Sequence, residues 1–529
     1  MVLKRSIWLI CCLLLHQVSQ EECASYQKED VKYWYSLSQR ALRDSLALTL
    51  NNNVAKNVIL FLGDGMSLPT IMAARVLKGQ RMGRRGEETW LTWENFPHSC
   101  LIKTYNANTQ VSDSASTATA YLCGVKNNYE TVGVSAAANH SECFTTFGAE
   151  VSSILQWAQE EGKDTGFVTT ARVTHATPAA LYAHSVNRDW ESDDKIPYNS
   201  TKCKDIARQL VEDVPGRDIK VILGGGRRHF FSNHIMDPEE DQYHLRKDGR
   251  DLVTEWTNDK ARRHASFAFV TTTKEFQTIN INKTDYLLGL FSYSHMQYEL
   301  ERNKGPEGEP SIAEMTKTAI KMLQKNSNGY FLLIEGARID HGHHDTLARH
   351  ALEETLTLEK AVNEALLMTS RDDTLVIVTA DHSQVMTVNG YAKRGTPILG
   401  FAGVSNVDNL PYTTLMYTNG PGYSKGGHRA NLTGVDTTHK DYQQLSLVPM
   451  TEETHGGEDV ALYAIGPMAH LFHGVQEQTY VAHAMAYTSC VGHNKEHCQK
   501  KPQEQYENCG VKSAFRNTLL AICFVVFFI

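Results

Sequence analysis

The chain is 529 residues long, 41% hydrophobic and 21% charged, with a formal net charge of −8. That composition belongs to folded globular proteins and excludes a disordered or low-complexity chain. Mild acidity without any Lys/Arg block leaves no footprint for a nucleic-acid partner, and none is expected. In chain order, residues 1–20 carry basic Lys4 and Arg5 before the apolar run 7–15, the pattern of a secretory signal peptide. Residues 36–50 read as an amphipathic arm suited to packing on another subunit. Residues 57–62 (NVILFL) open a series of apolar runs expected as buried parallel strands, continued at 166–170, 220–223, 330–334 and 374–379. Helix-like stretches such as 150–161 and 311–324 lie between them. This alternation predicts an α/β fold with a large, mostly parallel central sheet and helices on both faces. Residues 390–427, richer in Gly, Pro, Asn and Tyr, are expected as a small inserted surface subdomain. Residues 519–529 are wholly apolar but too short for a good membrane span. Behind the small residues Asn508-Cys509-Gly510 and a polar spacer, they fit a GPI-anchor signal at 509–529, with Asn508 as the attachment residue.

Secretion makes the cysteines readable as disulfides. Cys490 and Cys498 close a short loop and are expected to pair, Cys143 and Cys203 can form a second bridge, and Cys23, Cys100 and Cys123 have no pairing that the sequence defines. Sequons at Asn139, Asn199, Asn282 and Asn431 fit a secreted glycoprotein.

The chemistry begins at Ser114, preceded by Asp113 and followed by the small residues Ala115, Ser116, Thr117, Ala118 and Thr119. Little bulk there lets a large anion approach the hydroxyl, although Ser/Thr/Ala runs also simply open many helices. A serine nucleophile needs a base or a metal, and no histidine lies within fifteen residues of Ser114. Its activation must come from elsewhere in the chain. Three expected strands end in carboxylates and histidines: Asp64 after 57–62, Glu335 with Asp340, His341 and His344 after 330–334, and Asp381-His382 after 374–379. Ligands of open α/β sheets bind beyond the carboxyl ends of strands, so these groups share one rim. Imidazole with carboxylate suits zinc, and all-oxygen sets suit magnesium. Asp340 and His344, four apart, can meet one ion from one helix face. His455 is expected in a flexible loop before a further apolar run.

Together these motifs resemble the animal, GPI-anchored alkaline phosphatases from about residue 30 to 498. The resemblance rests on GDGM at 63–66, DSASTATAYLCGV at 113–125, TTARVTHATPA at 169–179, IEGARIDHGHH at 334–344, TADHS at 379–383 and EETHGGEDV at 452–460. It implies a catalytic domain over residues 21–508, a homodimer, and an enzyme on the extracellular face of the plasma membrane that hydrolyses phosphate monoesters through a phosphoserine. It implies one zinc on Asp340, His344 and His455, a second on Asp64, Asp381 and His382 beside Ser114, and magnesium on Asp64, Thr177 and Glu335. Arg188 would clamp two phosphate oxygens, Asp113 would orient Arg188, and His175 and His341 would tune the magnesium and phosphate surroundings. The resemblance pairs Cys143 with Cys203 and Cys490 with Cys498 and leaves Cys123 free. A calcium site of vertebrate relatives maps onto Glu239, the Phe291 carbonyl and Glu309, but Ser292 stands where a glutamate is expected, which weakens it. A metal-dependent phosphodiesterase or sulfatase is a rival reading, against which Ser114 with Arg188 argues. A non-catalytic surface receptor on the same fold would have lost a ligand, and every expected position is filled.

Overall fold

The computed structural model describes residues 29–200, 202–426 and 428–499. The expected signal segment 1–20, Cys23, Asn508 and the tail 509–529 lie outside them. The chain divides into two units, residues 1–50 and 51–529. In the first, helix α1 (Val31–Leu46) starts where the Asp30 carboxylate accepts the Tyr33 N–H, and it buries no residue. This N-cap places the helix earlier than the arm expected at 36–50.

The second unit is built on strands β1 (Asn57–Gly63), β2 (His98–Lys103), β3 (Asp164–Arg172), β4 (Val221–Gly225), β5 (Phe267–Val270), β6 (Tyr286–Leu290), β7 (Tyr330–Gly336), β8 (Thr374–Ala380), β9 (Val460–Ile465) and β10 (Val475–Glu477). They form one sheet in the order β10-β2-β9-β8-β1-β7-β3-β4-β6-β5. Neighbours run parallel except at β9, which is antiparallel to both β8 and β2. Every residue of β1, β7 and β8 is buried, as both-sided covering of a parallel sheet requires. The sequence reading does not mark β2, β5, β6 or β10. Strands β2 and β5 lie toward the sheet margins and expose apolar residues, Leu101 and Phe267, which blurs their hydrophobic period, whereas β6 is buried throughout but only five residues long.

Helices α2 (Leu68–Arg81), α3 (Ser114–Cys123), α4 (Ile154–Glu160), α5 (Ile312–Leu323), α6 (Arg338–His344), α7 (Ala348–Met368) and α8 (Thr479–Ser489) flank the sheet. They pack in two groups, α7 against α2, α5 and α6, and α8 against α3 and α4. Helix α5 begins at a reciprocal cap, Ser311 Oγ taking the Glu314 N–H and the Glu314 carboxylate taking the Ser311 N–H. Helix α4 starts later than the stretch at 150–161 because Ser153 Oγ caps it by accepting the Gln156 N–H. Two small sheets occupy part of 386–449: Met386–Val388, Leu415–Gly420 and Ser446–Pro449 form one, and Phe401–Val404 pairs with Pro411–Thr413 in the other. Cys143 bonds to Cys203 and Cys490 to Cys498, while Cys100 and Cys123 are free and buried. Asn139, Asn199, Asn282 and Asn431 are all exposed.

Candidate metal centre

Parallel register levels three strand ends. Gly63 of β1 lies beside Gly336 of β7 and Ala380 of β8, so Asp64, Glu335 and Asp381 are delivered to one rim. All three are fully buried, and so is His382. The turn after β1 needs glycine at 65, where φ is +62° and a Cβ would lie 2.3 Å from Gln384 Nε2.

Helix α3 brings the serine to this rim. Asp113 is its N-cap, and its carboxylate accepts the N–H of Ala115 at 3.0 Å and of Ser116 at 3.3 Å. Ser114 is therefore the first helical residue, and the whole helix is buried. Ser114 Oγ lies 3.2 Å from His382 Nε2, which is also 3.2 Å from Asp381 Oδ2 and 3.4 Å from Asp64 Oδ1. Beside this group, His344 Nε2 lies 3.2 Å from Asp340 Oδ2, and His455 Nε2 lies 3.4 Å from Asp340 Oδ1 and 3.2 Å from His344 Nε2. His455 is not in a flexible loop: the strand His455–Gly456 pairs with Ser383–Gln384, which fixes the imidazole over His382, ring centroids 3.5 Å apart.

The three imidazoles share one hydrogen-bond logic. His344 Nδ1 meets the Glu453 carbonyl at 2.5 Å, His455 Nδ1 the Ser112 carbonyl at 2.7 Å and His382 Nδ1 the Ser383 carbonyl at 3.2 Å. A carbonyl only accepts, so each Nδ1 carries a hydrogen and each Nε2 faces inward, where a cation would take the place of any proton on it.

The oxygens present fit cations. Both oxygens of Asp64, Oε1 of Glu335 and Oγ1 of Thr177 are buried without a hydrogen-bond partner. Buried acceptors of this kind are matched by donors or by metal ions. The carboxyls feel one another: burial, then Asp381 and Asp340, push Asp64 well above the usual carboxylate range. Burial raises Asp381 to about 6 and Glu335 to about 7. Despite burial, His344 pulls Asp340 well below that range, and Asp340 lifts His344 to about 10. Oxygen-only groups (Asp64, Thr177, Glu335) suit a hard cation, and the two carboxylate–imidazole groups suit zinc.

Arg188 Nη1 donates to Asp113 Oδ2 at 3.1 Å, and its Nη2 donates to His175 Nε2 at 3.2 Å. His341 Nδ1 takes Arg338 Nη1 at 3.0 Å. The residues mapped for calcium offer less. Glu239 is held by Arg227, whose guanidinium also grips Asp237, and Glu309, raised to about 7 by burial, accepts the Gln297 N–H at 2.9 Å.

Three residues that sequence reasoning passes over belong here. Gln384 Nε2 donates to Asp340 Oδ1. Glu453, raised to about 8 by burial, accepts the Val385 N–H at 2.7 Å beside His344. His295 packs on His341 and His175. Gln384 follows TADHS directly, which was a local signal; His295 had none.

A family model described as alkaline phosphatase matches residues 55–491. The chain is 53% identical over 494 residues to the tissue-nonspecific alkaline phosphatase isozyme of Gallus gallus, covering 92% of this chain and 94% of that protein. It is 52% identical over 482 residues to the tissue-nonspecific isozyme of Homo sapiens, covering 89% and 91%. An alkaline phosphatase of Gadus morhua is 51% identical over 478 residues, 89% of this chain and 99% of that one. Among solved structures, alkaline phosphatase from the Antarctic bacterium TAB5 shares the fold with a TM-score of 0.58, covering 84% of this chain and 100% of that chain at 24% identity. That of Thermus thermophilus gives 0.59, covering 83% and 92% at 23% identity.

Proposed function

The chain belongs to the alkaline phosphatase family, and on that premise we propose that it hydrolyses phosphate monoesters with Ser114 as nucleophile at a centre for two zinc ions and one magnesium ion. Asp340, His344 and His455 would hold one zinc, Asp64, Asp381 and His382 the second, and Asp64, Thr177 and Glu335 the magnesium. When bound, the ions supply the Lewis acidity that makes a hydroxyl nucleophilic at neutral pH and steadies charge on oxygens entering and leaving phosphorus. The chain does the rest. Ser114 Oγ, at the N-terminus of α3, forms the bond to phosphorus and loses its proton as the alcohol leaves. Water then displaces Ser114 and releases inorganic phosphate. Arg188 presents a planar fork to two non-bridging oxygens, and Asp113 aims that fork.

The observation that carries this reading is the 3.2 Å approach of Ser114 Oγ to His382 Nε2 among buried, unpartnered carboxylate oxygens. Trapping at acid pH with labelled phosphate should leave the label on the wild type and none on Ser114→Ala, while both keep their metals. A label that persists on the variant would move the nucleophile elsewhere. Activity that survives complete metal removal would end the metal-dependent reading.

The same reading makes the protein a homodimer held on the extracellular face of the plasma membrane through a GPI anchor at Asn508. Among the described residues no helix is long and apolar enough to cross a membrane. Phosphatidylinositol-specific phospholipase should release the activity from membranes as a dimer.

A further inference from the structure

Three more histidines converge beside Arg188. Ring nitrogens of His175, His295 and His341 lie within 4.8 Å of one another. The ring centroids are 5.1 Å apart for His175 and His295, 5.7 Å for His175 and His341, and 4.3 Å for His295 and His341. Spacing alone would suit a cation, but the hydrogen bonding reverses that reading. One nitrogen of each ring faces a guanidinium: His175 Nε2 faces Arg188 at 3.2 Å, His341 Nδ1 faces Arg338 at 3.0 Å, and His295 Nε2 faces Arg172. A guanidinium only donates, so those nitrogens are the acceptors and the other nitrogen of each ring carries the hydrogen. This is the opposite polarity to His344, His382 and His455, whose carbonyl partners leave a lone pair for a metal.

The result is a set of donors with nothing to donate to. His175 Nδ1, His295 Nδ1 and Arg338 Nε are buried and have no acceptor. His175 is only 8% exposed. Arg172 is matched by Glu191, with contacts of 2.6–3.0 Å, whereas Arg338 lies over the Tyr298 ring, 3.7 Å from its centroid. Unmatched buried N–H groups beside guanidinium charge are complementary to an oxyanion.

We propose that His175, His295, His341 and Arg338 form a second oxyanion site next to the Arg188 clamp. It takes a phosphate-sized group, either free phosphate or a second anionic group carried on a substrate. The inference rests on Arg188 being the clamp of the reaction above.

The test uses the metal-loaded full chain and two His295 variants. Phosphorus NMR titration with inorganic phosphate should count two ions per subunit in the wild type and in His295→Gln, which keeps a donor, and one in His295→Phe. If the second group is instead substrate-borne, one phosphate binds, but methylenediphosphonate binds about tenfold tighter than methylphosphonate. That preference should persist in His295→Gln and vanish in His295→Phe. Near-UV circular dichroism and thermal melts of both variants should match the wild type, which shows that they fold. One phosphate per subunit with no diphosphonate preference in the wild type overturns the proposal. So does an additional zinc that disappears in His295→Phe, which would make the cluster a cation site. A wild type that binds the second phosphate yet forms no phosphoserine would count against the Ser114 reading and leave this one standing.

Discussion

His455 and Ser112 are tied by a 2.7 Å hydrogen bond from Nδ1 to the backbone carbonyl. The bond does two jobs. It sets the imidazole tautomer, and it anchors the chain two residues before Ser114, where α3 begins. The proposed metal ligand and the proposed nucleophile thus share one backbone support, although they lie far apart in sequence.

Gln384 supports the same site from the other side by donating to Asp340. Gln384→Ala should weaken zinc at the Asp340, His344 and His455 site about tenfold or more, since outer partners of ligands carry that share of affinity. Competition with a colorimetric chelator measures it. An unchanged zinc affinity would reduce Gln384 to a packing residue.

Asp113→Ala removes the group that both caps α3 and aims Arg188. We expect kcat/KM for a monoester to fall by about one to two orders of magnitude, most of it in KM, because Arg188 still carries its charge but loses its orientation. Stability should fall by about 1 kcal/mol from the lost cap. Steady-state kinetics and thermal melts separate the two effects. A fall confined to the melting temperature would detach Asp113 from substrate binding.

Gly65→Ala should be damaging out of proportion to one methyl group. The position has φ +62°, and the added Cβ would collide with Gln384, the residue that holds Asp340. Strain of about 1–3 kcal/mol is expected, together with lost zinc occupancy. Metal analysis of the purified variant checks it, and full occupancy would show that the turn relaxes without moving Gln384.

The metal-stripped protein should lose stability as pH rises above neutrality. Asp381 at about 6 and Glu335 at about 7 are both raised, chiefly by burial, from ordinary values of 3.8 and 4.5. A raised group contributes stability below its unfolded pKa and loses it as pH climbs through the folded one. His344, raised to about 10 from 6.5, acts in the same direction at higher pH. Calorimetry of the stripped protein should therefore show its melting temperature falling from about pH 7 toward pH 10, above the range in which buried imidazoles such as His229 and His343, both held near 3, oppose the carboxyls. In the loaded protein the cations replace those protons, and the fall should be smaller. A stripped protein that gains stability from about pH 7 toward pH 10 would mean that Asp340 does not hold His344 protonated.

The central strands were legible because burial on both faces turns them into unbroken apolar runs such as NVILFL and TLVIVT, and the residues after these runs carry the proposed ligands. The antiparallel β9 and the margin strands β2 and β5 were less so, since their direction and pairing depend on distant partners. His455 looked like a loop residue because its two-residue strand is held by Ser383–Gln384 and has no pattern of its own. Asp113 and Arg188 could be linked only through the family resemblance, their contact being made across a fold that no local period encodes. His295 was invisible for the same reason: its partners His175 and His341 sit far from it in sequence.

The insertion of β9 between β8 and β2 has a consequence for biosynthesis. As the chain emerges from the ribosome, β1 and later β7 and β8 bring Asp64, Glu335, Asp381 and His382 into place. The sheet nevertheless stays in two pieces until residues 460–465 arrive, just after His455. The carboxylate cluster is therefore complete, with the sheet still open, only while the chain is made between His382 and residues 460–465. Closing the sheet and supplying His455 to the proposed ligand set are therefore neighbouring events in chain order.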